Sequence, residues 1–481
     1  MFIKNAKKKI IPFAVISSLA VAGFAGNAPG IEAKSDKDHK DKNEIENVIF
    51  LIGDGMGPAY TTAYRSFKDD KSTPYMEETA FDQHLVGAQQ TYSWDPEETV
   101  TDSAAAGTAM AAGIKTYNGA ISVDVDKEEV KTVLEEAKEN EKATGLVSTS
   151  QINHATPASF GAHDESRNNY NDIADDYYDE MINGEHKVDV LLGGGTSYFE
   201  RSDRNLTEEF KKDGYSYVTS KEELAKDKNE QILGLFAPKG LDKAIDRTED
   251  TPSLEEMTDA ALDRLKKDDD GFFLMVEGSQ IDWAGHDNDA VAAMSEMEDF
   301  EKAYQKAIEF AKKDKHTLVV TTADHSTGGM TMGRDGEYQW NPAPLKAAKK
   351  TPDFMAAQIA EGADVEETLN KYIDLELTSE EIASVKEAAK TEKTVEIDDA
   401  IEKIFDLRSG TGWTTGGHTG VDVNVYAYGP ESENFIGLHD NSETGQMVMD
   451  LLNKKQDNDH HNKDHDDDED HNKDKGHRNK H

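Results

Sequence analysis

Short runs of continuous apolar residues recur along the chain, and several end in glycine or in a side chain that can bind a metal. Asn47-Val48-Ile49-Phe50-Leu51-Ile52-Gly53 leads into Asp54, Phe272-Phe273-Leu274-Met275-Val276 into Glu277, and Thr317-Leu318-Val319-Val320-Thr321-Thr322 into Asp324 and His325. Such runs read as strands. Between them lie stretches with helical spacing: Glu128 to Asn140, and Ser253 to Lys267 with a Ser253/Glu256 capping box. Ala290, Ala293, Met297, Phe300, Tyr304, Ile308 and Ala311 fall on one helical face, which is core packing rather than a cofactor site. Strand and helix in alternation predict an α/β fold, a central mostly parallel sheet flanked by helices on both faces. From Gln339 to Ser409 the chain turns charged and helical, with a Thr378/Glu381 box opening Thr378 to Lys390 and no strand in view. This reads as a helical insertion, a lid or a subunit contact.

One serine stands out against that frame. Ser103 follows the extended-type Thr99 to Thr101 and opens a helix of small residues that runs to Gly113, a suitable C-cap. Serines before helices are ordinarily N-caps. Here, however, the free N–H groups of a helix start are positioned to hold an anion such as phosphate. The chain has no G-x-S-x-G elbow, and it carries far more carboxylates and imidazoles at strand ends than a Ser-His-Asp triad requires. In an open α/β sheet those ends gather on one edge. Serine, carboxylates and imidazoles together suggest a metal-activated alkoxide.

With these residues the chain resembles the alkaline phosphatase family, in motif order from about Glu46 to Leu452. Asp54 in Gly53-Asp54-Gly55-Met56-Gly57, Asp102-Ser103-Ala104, His154-Ala155-Thr156-Pro157 with Arg167, Glu277 with Asp282 and His286, Asp324-His325, and His418 occur in the family's order. The resemblance implies a hydrolase of phosphate monoesters that works through a phosphoserine at a site with two Zn²⁺ and one Mg²⁺. Asp282 and His286 are one helical turn apart and, with His418, make a three-ligand site with an open position, as catalytic zinc requires. Asp54, Asp324 and His325 would hold the second zinc, which Ser103 joins. Asp54, Thr156 and Glu277 make an oxygen-rich third site suited to magnesium. Arg167 would grip two phosphate oxygens with its planar fork. Two positions depart from some branches of the family: His154 stands where they have a carboxylate, and Trp283 where they have lysine. With Asp102, these are the expected outer-shell residues. The alternatives are a phosphodiesterase or sulfatase of the same superfamily, and a non-enzymatic metal or phosphate scavenger.

Other motifs carry blander readings. Gly193-Gly194-Gly195 is followed by no lysine and lacks dinucleotide spacing, so it reads as a tight turn after a strand. His84, His163, His186 and His316 have no comparable cluster around them in sequence and read as surface or satisfied core histidines.

The ends lie apart from the fold. Lys4, Lys7, Lys8 and Lys9 precede an apolar stretch from Ile10 to Phe24, the pattern of a secretory signal peptide over residues 1–33 cleaved between Ala25 and Ala33. A charged segment, 34–45, leads into a catalytic domain over 46–453. The tail, 454–481, holds six of the sixteen histidines among Asp, Asn and Lys, and reads as disordered, either a solvating tail or a weak zinc trap. No second long apolar span and no cysteine occur, so a stable membrane anchor, a lipidated cysteine and a disulfide are not expected. The expected protein is secreted or loosely cell-wall associated. Its formal charge is −44, and the leader carries four basic residues and one acidic, so cleavage takes it to −47. Such a surface disfavours nucleic acid and suits salty surroundings. The family resemblance further implies a homodimer.

Overall fold

The apolar runs do form strands, and their two-residue period sorts side chains onto opposite faces of one sheet. In Asn47–Gly53 (β1), Ile49 and Leu51 join one buried cluster while Val48, Phe50 and Ile52 join another. A strand with no polar face has to be covered twice. The computed structural model describes residues 45–463. The expected signal peptide, all but the last residue of the charged segment, and the far end of the tail lie outside the described residues.

The main sheet adds Leu85–Gln90 (β2), Ala143–Gln151 (β3), Val190–Gly194 (β4), Ser216–Val218 (β5), Ile232–Leu235 (β6), Phe272–Gly278 (β7), Thr317–Thr322 (β8), Val423–Tyr428 (β9) and Gly437–Asp440 (β10). Its spatial order is β10-β2-β9-β8-β1-β7-β3-β4-β6-β5. From β8 to β5 every pairing is parallel, and β9 alone runs against its neighbours. Central β1 sets Val48 across from Leu318 on one side and Phe273 on the other.

Helices that matter for the site are Pro58–Lys68 (α1), Ser103–Ala112 (α2), Val133–Glu139 (α3), Ala155–Gly161 (α4), Leu254–Leu265 (α5), Gln280–Asp287 (α6) and Ala290–Asp314 (α7). The insertion follows with Pro352–Ala360 (α8), Val365–Tyr372 (α9), Ser379–Ala389 (α10) and Thr394–Ser409 (α11), and the last helix is Asn441–Lys463 (α12). One sheet face is covered by α1, α5 and α7, the other by α2, α3, α4 and α12. All seven predicted core positions of α7 are buried, and Phe81 stacks on Phe300 and Tyr304 at 5.8 and 5.0 Å. Met355, Leu369, Ile397 and Ile401 of the insertion belong to the same apolar cluster as α7, so the insertion shares the core. Among the described residues no helix is long and apolar enough to cross a membrane.

Both predicted capping boxes form, at Ser253/Glu256 and Thr378/Glu381. The helix expected from Glu128 begins only at Val133. Thr132, in extended backbone, caps it with Glu135 in a further box, while the preceding residues pair back through Val123 with Glu129 and Val130 with Ser122. Gly195 turns with φ 113° after β4, as the tight-turn reading requires. The last helix runs past Lys454 to Lys463, beyond the expected start of the tail.

His163 has more company than its sequence surroundings showed. Its ring nitrogens lie 3.5 Å from Glu135 and 3.5 Å from Glu180, and Lys187 bonds Glu180 in the same cluster. Burial alone would lower the His163 pKa, but the two carboxylates raise it to about 10, while Glu135 is held down at about 2 chiefly by His163 and Lys187 against its own burial. Lys187 already supplies a cation, so the cluster needs no metal. Because the folded His163 pKa lies above the unfolded value, its stabilisation is complete below about pH 6.5 and is lost as pH rises through about 10. His163→Gln is expected to cost about 1.5–3 kcal/mol at pH 6, the worth of hydrogen bonds to charged groups. The cost should shrink towards pH 10.5, as read from denaturant unfolding at both pH values.

Candidate active site

All strands from β8 to β5 point the same way, so their carboxyl ends deliver side chains to one edge. Asp54 follows β1, Glu277 is the penultimate residue of β7, Asp324 and His325 follow β8, and His154 and Thr156 open α4 just after β3. Helix α6, directly after β7, carries Asp282 and His286 one turn apart, and His418 arrives on a two-residue strand, His418–Thr419, that pairs with Ser326–Thr327 rather than on the loop the sequence suggested. Three groups of donors result, each with its ligand atoms within 4.8 Å of one another: Asp282, His286 and His418; Asp54, Asp324 and His325; and Asp54, His154 and Glu277.

Ser103 is the first residue of α2, not its cap. Asp102 takes that task by accepting from Ala105 N at 3.0 Å, which leaves the serine hydroxyl uncommitted to the helix. Ser103 Oγ instead lies 3.2 Å from His325 Nε2, and the same nitrogen is 3.2 Å from Asp324 Oδ2 and 3.5 Å from Asp54 Oδ1. The other Asp102 oxygen accepts from Arg167 Nη1 at 2.9 Å, so one carboxylate both starts the nucleophile's helix and aims the guanidinium. Arg167 Nη2 lies 3.4 Å from His154 Nε2. A cleft of about 420 Å³, lined by Glu98 to Asp102, Asn118 and His418, opens beside them.

The donors are held by the protein on one side and left bare on the other. Asp324 Oδ1 accepts from the backbone N–H of Gly55 and His325, both at 2.9 Å, and Oδ2 accepts no hydrogen bond. Glu277 Oε2 accepts from Ser148 at 2.6 Å, while Oε1, the Thr156 hydroxyl and both Asp54 oxygens have none. His286 Nδ1 donates to Gly416 O at 2.7 Å and His418 Nδ1 to Thr101 O at 2.8 Å, which turns both Nε2 lone pairs inward, only 3.1 Å apart. Thr327 donates to Asp282 Oδ1 at 2.5 Å. Gly55, with φ 69°, permits this crowding, because a Cβ there would meet Thr327 Oγ1 at 2.7 Å and the Asp282 backbone at 2.8 Å.

Electrostatics point to cations as well. Burial, then the charges of Asp282, Asp324 and Glu277, push Asp54 well above the usual carboxylate range. Facing lone pairs and bare buried oxygens are what divalent ions satisfy, so the residues fit the metals that the motifs imply. His154 is brought into the third group, where its Nδ1 has no partner; burial and then the Arg167 charge lower it to about 3, leaving a neutral imidazole. Trp283 packs its edge against His154 at 5.8 Å and lies so close over Gly240 that a Cβ there would sit 2.5 Å from the indole. Sequence reasoning missed Thr327, Ser148 and the carbonyls of Thr101 and Gly416. Thr327 alone had a signal, two residues after the Asp324-His325 pair.

A family model described as alkaline phosphatase matches residues 45–454. The chain belongs to the alkaline phosphatase family. It is 64% identical over 452 residues to alkaline phosphatase 3 of Bacillus subtilis (strain 168), covering 93% of this chain and 98% of that protein. Among solved structures it is similar to a cold-active alkaline phosphatase from a psychrophilic Shewanella, at 42% identity and TM-score 0.79, over 84% of this chain and 99% of that one. It is also similar to a variant of the TAB5 alkaline phosphatase in which glutamate replaces a histidine and magnesium is bound in the M3 site, at 31% identity and TM-score 0.62, over 85% and 98% of the two chains. This chain is accordingly a phosphomonoesterase, and the diesterase, sulfatase and scavenger alternatives fall away.

The double duty of Asp102 generates a test. Asp102→Ala is expected to cost about 1 kcal/mol of stability through the lost cap. It should also weaken competitive inhibition by inorganic phosphate several-fold, because Arg167 loses the partner that aims it. Unfolding curves and phosphate inhibition constants would check the two effects.

Proposed function

We propose that the enzyme hydrolyses phosphate monoesters through a phosphorylated Ser103, with zinc held by Asp282, His286 and His418, a second zinc by Asp54, Asp324 and His325, and magnesium by Asp54, Thr156 and Glu277. The convergence of Ser103 Oγ on His325, within reach of Asp54 and Asp324, carries this reading. When bound, such ions supply Lewis acidity that favours a deprotonated serine and neutralises charge on the phosphoryl group. Ser103 gives up its hydroxyl proton, Oγ attacks phosphorus in line, the P–O bond to the alcohol breaks, and the leaving oxygen takes up a proton to depart as the alcohol. Arg167, fixed by Asp102, binds two non-bridging oxygens and keeps the group oriented through both displacements. Water then attacks the phosphoserine from the side the alcohol left, the bond from phosphorus to Ser103 Oγ breaks, Oγ recovers a proton, and inorganic phosphate is released. Two in-line steps retain configuration at phosphorus.

The third site is where this chain has its own character. His154 offers imidazole nitrogen to Asp54 and Glu277 where a carboxylate would add charge, so magnesium is held less tightly than in relatives with an acid at that position. The TAB5 variant named above, with glutamate for histidine and magnesium in its M3 site, supports that reading. Release through the secretory leader, which the sequence pattern implies, and assembly into a homodimer, which the family resemblance implies, complete the proposal.

Two variants test it. Ser103→Ala should retain both zinc ions, since other residues supply most ligands, yet give no phosphoenzyme when labelled substrate is quenched in acid; full labelling of the variant would remove Ser103 from the role. His418→Ala should weaken one zinc by at least about 10-fold and leave the other near its wild-type affinity. Metal content after graded chelation reads the difference, and equal loss of both ions with the fold intact would overturn the division of ligands.

A further inference from the structure

A second gathering of carboxylates lies behind the catalytic edge, where α6 ends and the helical insertion docks. Asp287 is the last residue of α6, Asp353 the second residue of α8, and Asp398 lies in the first half of α11. They come from well-separated parts of the chain, yet one carboxylate oxygen from each lies within 4.8 Å of the others. Two more acids border them. Glu402 stands one turn after Asp398 on α11, and Asp289 caps α7 by accepting from Val291 N and Ala292 N at 2.7 and 2.9 Å.

What separates this cluster from an ordinary acidic surface is that its inner members are buried and bare. Asp398 is 2% exposed and Glu402 7%, and neither Asp398 Oδ1 nor Glu402 Oε1 has a hydrogen-bond partner. Burial and then the surrounding charges of Asp353, Asp287 and Asp289 push Asp398 up to about 10, and burial followed by Asp289 and Asp398 pushes Glu402 up to about 11. Among the charges that act most strongly on Asp287 and Asp289, Lys243 is the basic one, while Asp399 adds a further negative charge near Asp287 and Glu402. One lysine does not balance such a set. Buried carboxylates persist when they are paired or bind metal.

We propose that Asp287, Asp353 and Asp398, backed by Glu402, form a calcium site that fastens the helical insertion to the catalytic domain. Every donor is a carboxylate oxygen, which suits a hard cation and offers nothing that prefers zinc. The ligands come from three separate helices, and Asp287 and Asp353 are only half-buried, so water has room to complete a large, irregular shell. That geometry suits calcium's six to eight flexible ligands better than magnesium's strict octahedron. The position has a consequence for the active site, because Asp287 directly follows His286 on α6. Tying Asp287 to α8 and α11 steadies the helix end that presents a ligand of the first metal group.

The test uses the full chain loaded with zinc and magnesium and freed of excess metal. Thermal unfolding is followed with 0 to about 10 mM CaCl₂, beside MgCl₂ and NaCl at equal ionic strength, and bound calcium is counted by equilibrium dialysis. Comparison with Asp398→Asn removes any contribution from the acidic tail, which both proteins share. Wild type is expected to melt a few degrees higher with calcium than with either control salt and to bind one calcium more than the variant. Without calcium, Asp398→Asn should be at least as stable as wild type, since an amide spares the cost of keeping a buried carboxyl group protonated or charged, and it should gain nothing from calcium beyond the salt effect. The proposal fails if calcium does no more than magnesium or sodium for wild type, if the variant keeps the same calcium response, or if it is the less stable protein in the absence of calcium.

Discussion

Everything about the catalytic edge follows from four carboxylates that cannot coexist as bare charges. Asp54, Glu277, Asp282 and Asp324 are between 0 and 3% exposed and fall into three groups, two of which share Asp54. Withdrawing such charges from water costs several kcal/mol each even after relaxation, and their mutual repulsion adds to that. A fold would discard the arrangement unless cations repaid it, so the site is a set of ligands before it is anything else. The nucleophile shares their setting: Ser103 meets the imidazole of His325, whose own burial and neighbouring charges keep it neutral.

The parallel sheet makes the convergence possible, and local hydrogen bonds make it specific. Strand ends bring Asp54, Glu277 and Asp324 to one edge, but the sheet does not decide which oxygen faces inward. That is settled by donors to the opposite oxygen: the N–H groups of Gly55 and His325 for Asp324, and the Ser148 hydroxyl for Glu277. The carbonyls of Gly416 and Thr101 do the same for the two imidazoles by fixing which nitrogen bears hydrogen. Removing one of these supports leaves every ligand present and turns one of them away, which is how positioning residues matter without touching substrate.

This division explains what could be read from the chain and what could not. The strands were legible because a run with no polar face fits only a doubly covered sheet, and the α7 core face was legible because its period is helical. The candidate ligands were legible as residue types at strand ends, and the structure brings all of them to one edge. Three features escaped for a common reason, that their partners are distant in sequence. His163 gained its charge from Glu135 and Glu180, the α3 start was moved to Val133 by Thr132 and by pairing with Ser122, and the Thr101 and Gly416 carbonyls carry no sequence signature at all. Ser103 shows the reverse case. Its likeness to an ordinary N-cap dissolved once Asp102, one residue earlier, took the cap.

Acidity then takes on two meanings in one molecule. Most of the −44 formal charge is spread over a surface where water and salt screen it, and there it sets solubility and repulsion rather than structure. At two places carboxylates are instead drawn inward without enough basic partners: the catalytic edge and the junction of α6, α8 and α11. Screening by salt does not reach such groups well, since a Debye length describes solvent-exposed charges. Each inward cluster therefore has to be balanced locally, by protonation or by a bound cation, and the two are linked through α6, whose eight residues carry Asp282 and His286 to one and Asp287 to the other. A short helix ending between two charge clusters is stiff only if both ends are held. For this enzyme, the packing of the helical insertion and the placement of the first metal ligands are thus parts of a single electrostatic problem.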